Sequence, residues 1–376
     1  MIANSLKSLI VAVLMSGVAV GAVEANPSIT VDVATGKVYQ QEDAFQRWYP
    51  ASLTKMMTAY VTFRALQAGE ITLDSPVTMT VRAAKEPPSK MGYRPGAVLT
   101  VDNALKILLV KSANDIAVAL AEAVGGSEKA FVQRMNAEAR RLGMTGTHFA
   151  NPNGLHDVNN YSTARDLAIL GVQLRREFPQ YAHYFSTEAI DPGEGKKIQP
   201  NYNILLGRFD GADGMKTGFV CASGFNLAGS ATRNGRTVLT IVLGADRQET
   251  RAAQAAQNMA EAFRVKGSGG PTLATLRPSG GANLNQAVDM RKAICSQQAM
   301  ADRWDGRDAE GRLKINSPYI HAMDRDPVAV PVRLLKDAPK PKKPATEEKP
   351  KTVKKVPKPA QKPRSQAAST QPSAVN

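Results

Sequence analysis

Apolar residues fall along this chain in two periods, and the switch between them marks out its elements. Ser28-Ile29-Thr30-Val31-Asp32-Val33 alternates with period two, Ala34-Thr35-Gly36-Lys37 turns, and Val38-Tyr39-Gln40 returns. This predicts a hairpin, because alternate strand residues face opposite sides. From Leu53 onward, Met56, Met57, Tyr60, Val61 and Phe63 cover most of a helical circumference, with no breaker before Gly69. That predicts a helix buried on most faces, hence a central one, with Pro50 in its first turn and Gly69 as its C-cap. Residues 71–90 read as irregular or strand-like, interrupted by Pro76, Pro87 and Pro88.

Helical spacing returns through Leu105, Leu108 and Leu109, capped by Thr100 or Asp102, and stops at Lys111-Ser112-Ala113-Asn114. A second helix restarts at Asp115 and runs to Gly125-Gly126. A third, capped by Ser127, ends near Leu142-Gly143. A loop rich in Asn, Pro and Gly spans 147–160. Thr163 and Asp166 resemble a capping box that opens a helix to about Glu177. The pattern then becomes strand-like over 214–219 and 224–231, with Asn234-Gly235 as a hairpin turn. The β-branched run Thr237 to Gly244 predicts a strand buried on both faces, and Thr250 to Arg264 a helix. The predicted fold class is α+β: one antiparallel sheet sandwiched by helices, followed by a poorly defined segment over 266–337. Within that segment, Gln286 to Trp304 predicts an amphipathic helix and Ile315 to Leu335 short strand pieces.

Both ends depart from this patterning. Lys7 precedes an apolar run from Leu9 to Val23, and Val23-Glu24-Ala25 presents small or apolar residues where a signal peptidase reads. Residues 1–25 are expected to be a cleaved secretory signal, which makes the protein exported, to periplasm or cell envelope. Residues 338–376 hold nine Lys and one Arg against two Glu, a net of +8 out of the chain's +15. This Lys/Pro-rich tail is expected to be disordered. It reads equally as a solvated spacer or as a cationic segment lying on anionic lipid head groups or wall polymers. The domain expected over 26–265 is then only mildly basic, which argues against a nucleic-acid reader. The stretches Gly92-Tyr93-Arg94-Pro95-Gly96 and Gly267-Ser268-Gly269-Gly270 match no phosphate motif. Four histidines without ligand spacing argue against a zinc mechanism, so no metal and no cofactor is expected. Export makes a disulfide between Cys221 and Cys295 a reasonable expectation.

Candidate chemistry starts at Ser52-Leu53-Thr54-Lys55. Three residues apart, Ser52 and Lys55 share one face at a helix N-terminus. A serine hydroxyl needs a base to become a nucleophile, and a lysine serves only if burial or a nearby cation lowers its pKa. Alone, this pair also reads as an N-cap followed by a solvated lysine. Two further motifs change the balance: Ser112-Ala113-Asn114 at the junction of two apolar helices, and Lys216-Thr217-Gly218 in a strand. Buried Ser and Asn need partners, and glycine in a strand marks close approach of a ligand backbone.

In this order the three motifs resemble the penicillin-binding serine D-alanyl-D-alanine carboxypeptidases, which share the fold of serine β-lactamases. Asn151-Pro152-Asn153-Gly154-Leu155 and Tyr161-Ser162-Thr163-Ala164-Arg165-Asp166-Leu167 extend the resemblance, which covers roughly residues 26 to 265. It implies that Ser52 attacks the carbonyl between two D-alanines of a peptidoglycan stem peptide, with Lys55 as base. It implies an oxyanion hole of the Ser52 and Phe219 N–H groups, and a proton path through Ser112 and Lys216. Asn114 would hold the substrate amide, and Lys216, Thr217 and Gly218 would line the strand that binds the terminal carboxylate. β-Lactams would acylate Ser52 as inhibitors. The glutamate that activates deacylating water in class A β-lactamases is not placed here; the comparable loop carries His156 and Asp157. His156 reads as a surface loop residue. Arg247 and Arg251 could help bind a carboxylate, yet each reads first as a helix-cap or surface arginine, and neither is assigned to the site. Residues 267–337 are short for the small all-β second domain of better-known members, and the C-terminus is cationic rather than amphipathic. Rival readings are a DD-endopeptidase on crosslinked peptidoglycan and a non-catalytic wall-binding protein, for which Lys55 would have no use.

Overall fold

The structure, a computed structural model, describes residues 26–193, 195–267, 269–278, 284–304 and 314–337. The expected signal, the expected tail and the middle of the 267–270 stretch lie outside the described residues. The amino-terminal hairpin is β1 (Ser28–Asp32) and β2 (Val38–Glu42), and a 3-10 turn at Ala51–Leu53 leads into the central helix α1 (Thr54–Gln67). Eleven of the fourteen residues of α1 are buried, so the apolar circumference of the sequence is matched by packing on nearly every side. The stretch read as irregular contains β3 (Pro76–Thr78) and a short helix α2 (Val81–Ala84), followed by β4 (Val98–Thr100). Helices α3 (Val101–Val110), α4 (Asn114–Gly125), α5 (Glu128–Arg141) and α6 (Ala164–Glu177) follow. Thr100, Ser127 and Thr163 accept at the N-termini of α3, α5 and α6 from the backbone N–H three residues on. Asp166 does not complete a capping box. Its carboxylate reaches instead to Gly146 N and Thr147 Oγ1, tying down the start of the long loop.

After a short helix α7 (His183–Ser186) and strands β5 (Ala189–Asp191) and β6 (Gln199–Pro200) come the long strands β7 (Ala212–Val220), β8 (Gly224–Arg233) and β9 (Arg236–Ala245). They join the hairpin in one antiparallel sheet of order β2-β1-β9-β8-β7, closed by helix α8 (Gln248–Arg264). Strand β9 is central and buried on both faces. Leu239, Ile241 and Leu243 join the larger core with α1, α3, α4 and α6, while Val238 and Val242 pack with Leu227, Ala231 and the alanines of α8. Strand β7 is a sheet edge.

The predicted helix over 286–304 is two pieces, α9 (Arg291–Cys295) and α10 (Gln297–Trp304), broken at Ser296, which is extended. Cys221, at the end of β7, is disulfide-bonded to Cys295, so α9 is fastened beside that sheet edge. A last strand β10 (Ala329–Pro331) runs parallel to β5. Leu273 and Val332 are buried in the larger core, so this part of the chain packs back onto it rather than standing apart. Among the described residues no helix is long and apolar enough to cross a membrane.

Candidate active site

The turn that carries Ser52 is strained by its surroundings. Ala51 sits at φ +48°, a left-handed conformation that costs an alanine about 1–2 kcal/mol. It persists because two glycines close around it. A Cβ on Gly154 would lie 1.9 Å from the Ala51 carbonyl oxygen, and one on Gly218 would lie 2.9 Å from Pro50 O and 3.0 Å from Ser52 N. The close approach read from Gly218 is therefore made by the chain's own Ser52 turn. Three segments far apart in sequence meet at the turn that bears this one hydroxyl.

One helical turn on, Lys55 is fully buried. Its Nζ lies 3.0 Å from Ser52 Oγ, 2.8 Å from Asn114 Oδ1 and 2.6 Å from Asn153 O. Burial drives its pKa down to about 7, against the smaller opposing pull of Glu86 and Asp115. An amine that titrates near neutrality has a lone pair available. Two N–H bonds then serve Asn114 Oδ1 and Asn153 O, which leaves the lone pair for the Ser52 hydroxyl. The apolar α1 supplies this burial, and the loop 151–155 supplies the carbonyl. That loop is held by Thr58 Oγ1 donating to Pro152 O at 2.6 Å and by Gly154 N donating to Asn151 Oδ1 at 2.6 Å.

Ser112 occupies the junction of α3 and α4 at φ +60°, a second left-handed non-glycine at this site, and it lines the cleft. Asn114 opens α4, 4% exposed. Its N donates to Ser89 O at 2.7 Å and its Nδ2 to Pro87 O at 3.0 Å, which aims Oδ1 at Lys55. On the opposite wall, Lys216 is buried in the middle of β7 rather than at a solvated strand end, and its Nζ donates to Thr217 O at 2.9 Å. Burial, then Lys55 and Arg251, lower its pKa well below the ordinary lysine range. Thr217, Gly218 and Phe219 follow along the edge strand, where alternate N–H groups are not used by the sheet.

These residues line one cleft of about 520 Å³, with Ser52, Ser112, Asn114, Thr217, Gly218 and Phe219 all on its wall. Lys55 and Lys216 sit just behind it. His156 is exposed, with its ring against Tyr49, and takes no part. Arg247 precedes α8 and pairs with Asp246, as a helix-start arginine. Arg251 is different. It is 4% exposed, lines the cleft, and among the described residues its guanidinium donates to the carbonyls of Asn226 and Tyr202, at 3.3 and 3.2 Å. Burial lowers its pKa to about 9. The sequence signal was its position one turn into the helix after the last core strand, which puts a long side chain back over the sheet edge.

An edge strand facing a cleft serine backed by a buried lysine, in a helix-flanked antiparallel sheet, is the arrangement of the serine peptidases with the DD-peptidase fold. The chain belongs to the D-alanyl-D-alanine carboxypeptidase family, peptidase S11, which it matches over residues 15–247. It is 37% identical over 250 residues to the D-alanyl-D-alanine carboxypeptidase DacC of Escherichia coli, covering 64% of this chain and 62% of the relative, and 33% identical over 242 residues to DacF of Bacillus subtilis, covering 64% and 62%. The chain thus spans about three fifths of the length of these curated relatives. Among solved structures it is similar to penicillin-binding protein 5 of Haemophilus influenzae (34% identity, TM-score 0.60, covering 64% of this chain and 71% of that one). It is also similar to penicillin-binding protein D2 of Listeria monocytogenes in a cefotaxime-bound form (28% identity, TM-score 0.58, covering 64% and 98%).

Proposed function

We propose that this protein is an exported serine D-alanyl-D-alanine carboxypeptidase that removes the terminal D-alanine from peptidoglycan stem pentapeptides in the cell envelope. The observation that carries this reading is the fully buried Lys55, its pKa near 7, within 3.0 Å of the Ser52 hydroxyl. Neutral Lys55 takes the Ser52 proton as Oγ bonds to the carbonyl carbon of the penultimate D-alanine. The Ser52 and Phe219 N–H groups receive the oxyanion; one such donor is worth about 10²–10³ in rate. The C–N bond breaks, and the proton held by Lys55 reaches the departing amine by way of Ser112 and Lys216. A water then adds to the ester, gives its proton to Lys55, and the Ser52–carbonyl bond breaks, restoring the hydroxyl. Asn114 holds the substrate amide.

Two basic side chains, Lys216 and Arg251, lie buried around this cleft beside the neutral Lys55, and neither makes an ion pair among the described residues. Buried cations without counter-ions favour an anionic ligand. The terminal carboxylate of the stem peptide satisfies Lys216 and Arg251, with the Thr217 hydroxyl beside them. β-Lactams carry a carboxylate at the corresponding place, and slow deacylation makes them inhibitors.

The test is mass spectrometry after exposure to a fluorescent penicillin. A single adduct on the Ser52 peptide, absent from Ser52→Ala, supports the reading; no adduct on folded protein sinks it. Release of D-alanine from uncrosslinked pentapeptide, rather than cleavage of crosslinked muropeptides, then separates carboxypeptidase from endopeptidase. For Arg251→Gln, kcat/KM falls about 10–100-fold, the worth of a charge-assisted hydrogen bond. The wild type's preference for a free terminal carboxylate over its amide collapses in this variant. A loss that is equal for acid and amide substrates means Arg251 only packs.

A further inference from the structure

One buried carboxylate beside the site has no part in the steps above. Glu86 follows α2 and is 5% exposed. Arg82, one turn earlier, pairs with its Oε1, and Asn153 Nδ2 donates to its Oε2 at 2.7 Å. The carbonyl of that same Asn153 accepts from Lys55 Nζ at 2.6 Å, the shortest of the lysine's contacts. A single residue therefore bridges a buried carboxylate and the buried amine. The lysine's own partners are a hydroxyl, an amide oxygen and a backbone carbonyl, none of them an anion. The chain leaving Glu86 also orients the other partner, since Pro87 O and Ser89 O accept from Asn114. Glu86 is absent from the cleft wall, so it does not touch substrate.

We propose that Glu86 is a positioning residue for Lys55. Through Asn153 it fixes the carbonyl that aims the amine at Ser52, and it supplies from outside the cleft the negative charge that the lysine lacks in direct contact. This rests on Ser52 and Lys55 being the acyl-transfer pair.

The charge is felt because both groups are buried, where solvent screens little. Burial pulls Lys55 down, and Glu86 is the first of the groups that pull it back up. A base held too low is always free of its proton yet weak at taking one, so a countercharge that keeps it near working pH favours catalysis. The charges around Glu86 are Arg82 on α2, Lys55 on α1, Asp115 on α4 and, beyond Arg82, Glu122 on α4 and Glu128 on α5. Lys216 on β7 couples to the far side of Lys55. Arg82 partly cancels the Glu86 charge, and at 48% exposure it can be changed without opening the core. This gives two variants of opposite sign.

The experiment measures the second-order rate of Ser52 acylation by a fluorescent penicillin from acid to alkaline pH, with folding checked by circular dichroism. Glu86→Gln keeps a hydrogen-bond acceptor for Asn153 and removes the charge. Its acid limb moves to lower pH by about one unit, and its plateau rate falls several-fold because the base is weaker. In Arg82→Gln the acid limb moves to higher pH. Limbs of both variants superimposed on the wild type, or displaced in the same direction, overturn the proposal and leave Glu86 a scaffold residue. If Glu86→Gln fails to fold, the direction of the Arg82→Gln shift still decides. Absence of any Ser52 adduct in unaltered protein overturns the pair itself, and is seen before a variant is made.

Discussion

Lys55→Met lowers the rate of Ser52 acylation by about 10²–10⁴, the range for loss of a positioned general base. Methionine approximates the volume and apolar stem of lysine, so α1 keeps its packing and the loss falls on proton transfer. The same substitution changes how stability depends on pH. In the folded protein Lys55 titrates at about 7, against 10.5 for an unburied lysine. Below pH 7 both the folded and the unfolded chain hold the proton, and the folded state bears the whole cost of the buried ammonium. Between about 7 and 10.5 the unfolded chain binds more protons than the folded one, so the contribution of Lys55 to stability improves as pH rises through that window. The full span is on the order of 5 kcal/mol. Methionine has no such term. Its stability relative to wild type therefore improves as pH falls from 9.5 to 6.5, which urea unfolding at the two pH values checks. A parallel pair of stability curves would mean that Lys55 is not depressed, and would remove the physical basis of its role as base. Loss of the bonds to Asn114 Oδ1 and Asn153 O affects both pH values alike and drops out of the comparison.

Gly154→Ala has the second large effect, on geometry rather than protonation. Gly154 lies at φ +78°, and its added Cβ would meet the Ala51 carbonyl oxygen at 1.9 Å and its carbon at 2.4 Å. Both are backbone atoms, so no side chain can swing aside. Either the loop 151–155 withdraws and takes the Asn153 carbonyl from Lys55, or the turn 50–52 withdraws and takes Ser52. A displacement of about 1 Å at a reacting group costs about 10²-fold in rate, and the strain adds about 1–3 kcal/mol of destabilisation. Acylation rate and Tm measure the two effects separately. Gly69→Ala is the control. It is also left-handed, at φ +72°, but nothing lies within 4 Å of its added Cβ. It loses about 1 kcal/mol of stability and keeps wild-type acylation. Equal rates for Gly154→Ala and wild type would show that the loop does not fix the pair.

Periodicity alone located most of the scaffold. The hairpin, the buried α1, the β-branched β9 and the Asn234-Gly235 turn are local signals, set by side-chain period and turn chemistry within ten or so residues, and each element forms close to where that signal lies. The errors have a common cause. Asp166 looks like half of a capping box because only its distance from Thr163 is visible in sequence, whereas its carboxylate is claimed by Gly146 and Thr147. The 286–304 segment has one amphipathic pattern, yet breaks at Ser296 beside the cysteine bonded to Cys221. Arg251 reads as a surface arginine because its burial comes from β8 and the Tyr202 loop, neither adjacent in sequence.

The motif residues Ser52, Lys55, Ser112, Asn114 and Lys216 were legible as residue types in a given order, and their order is what the family resemblance used. What the chain determined by itself is therefore the list of candidate groups and the central, apolar helix at whose start the first two lie. Only the tertiary structure decided the environment of those groups: the burial that brings Lys55 to neutrality, the Asn153 carbonyl that aims it, Glu86 behind that carbonyl, and the glycines that press the Ser52 turn into shape. The division is physical. Period and propensity act over one or two turns of chain, whereas a pKa depends on every charge and every water excluded within several ångströms, and here those neighbours come from segments scattered between residues 50 and 251.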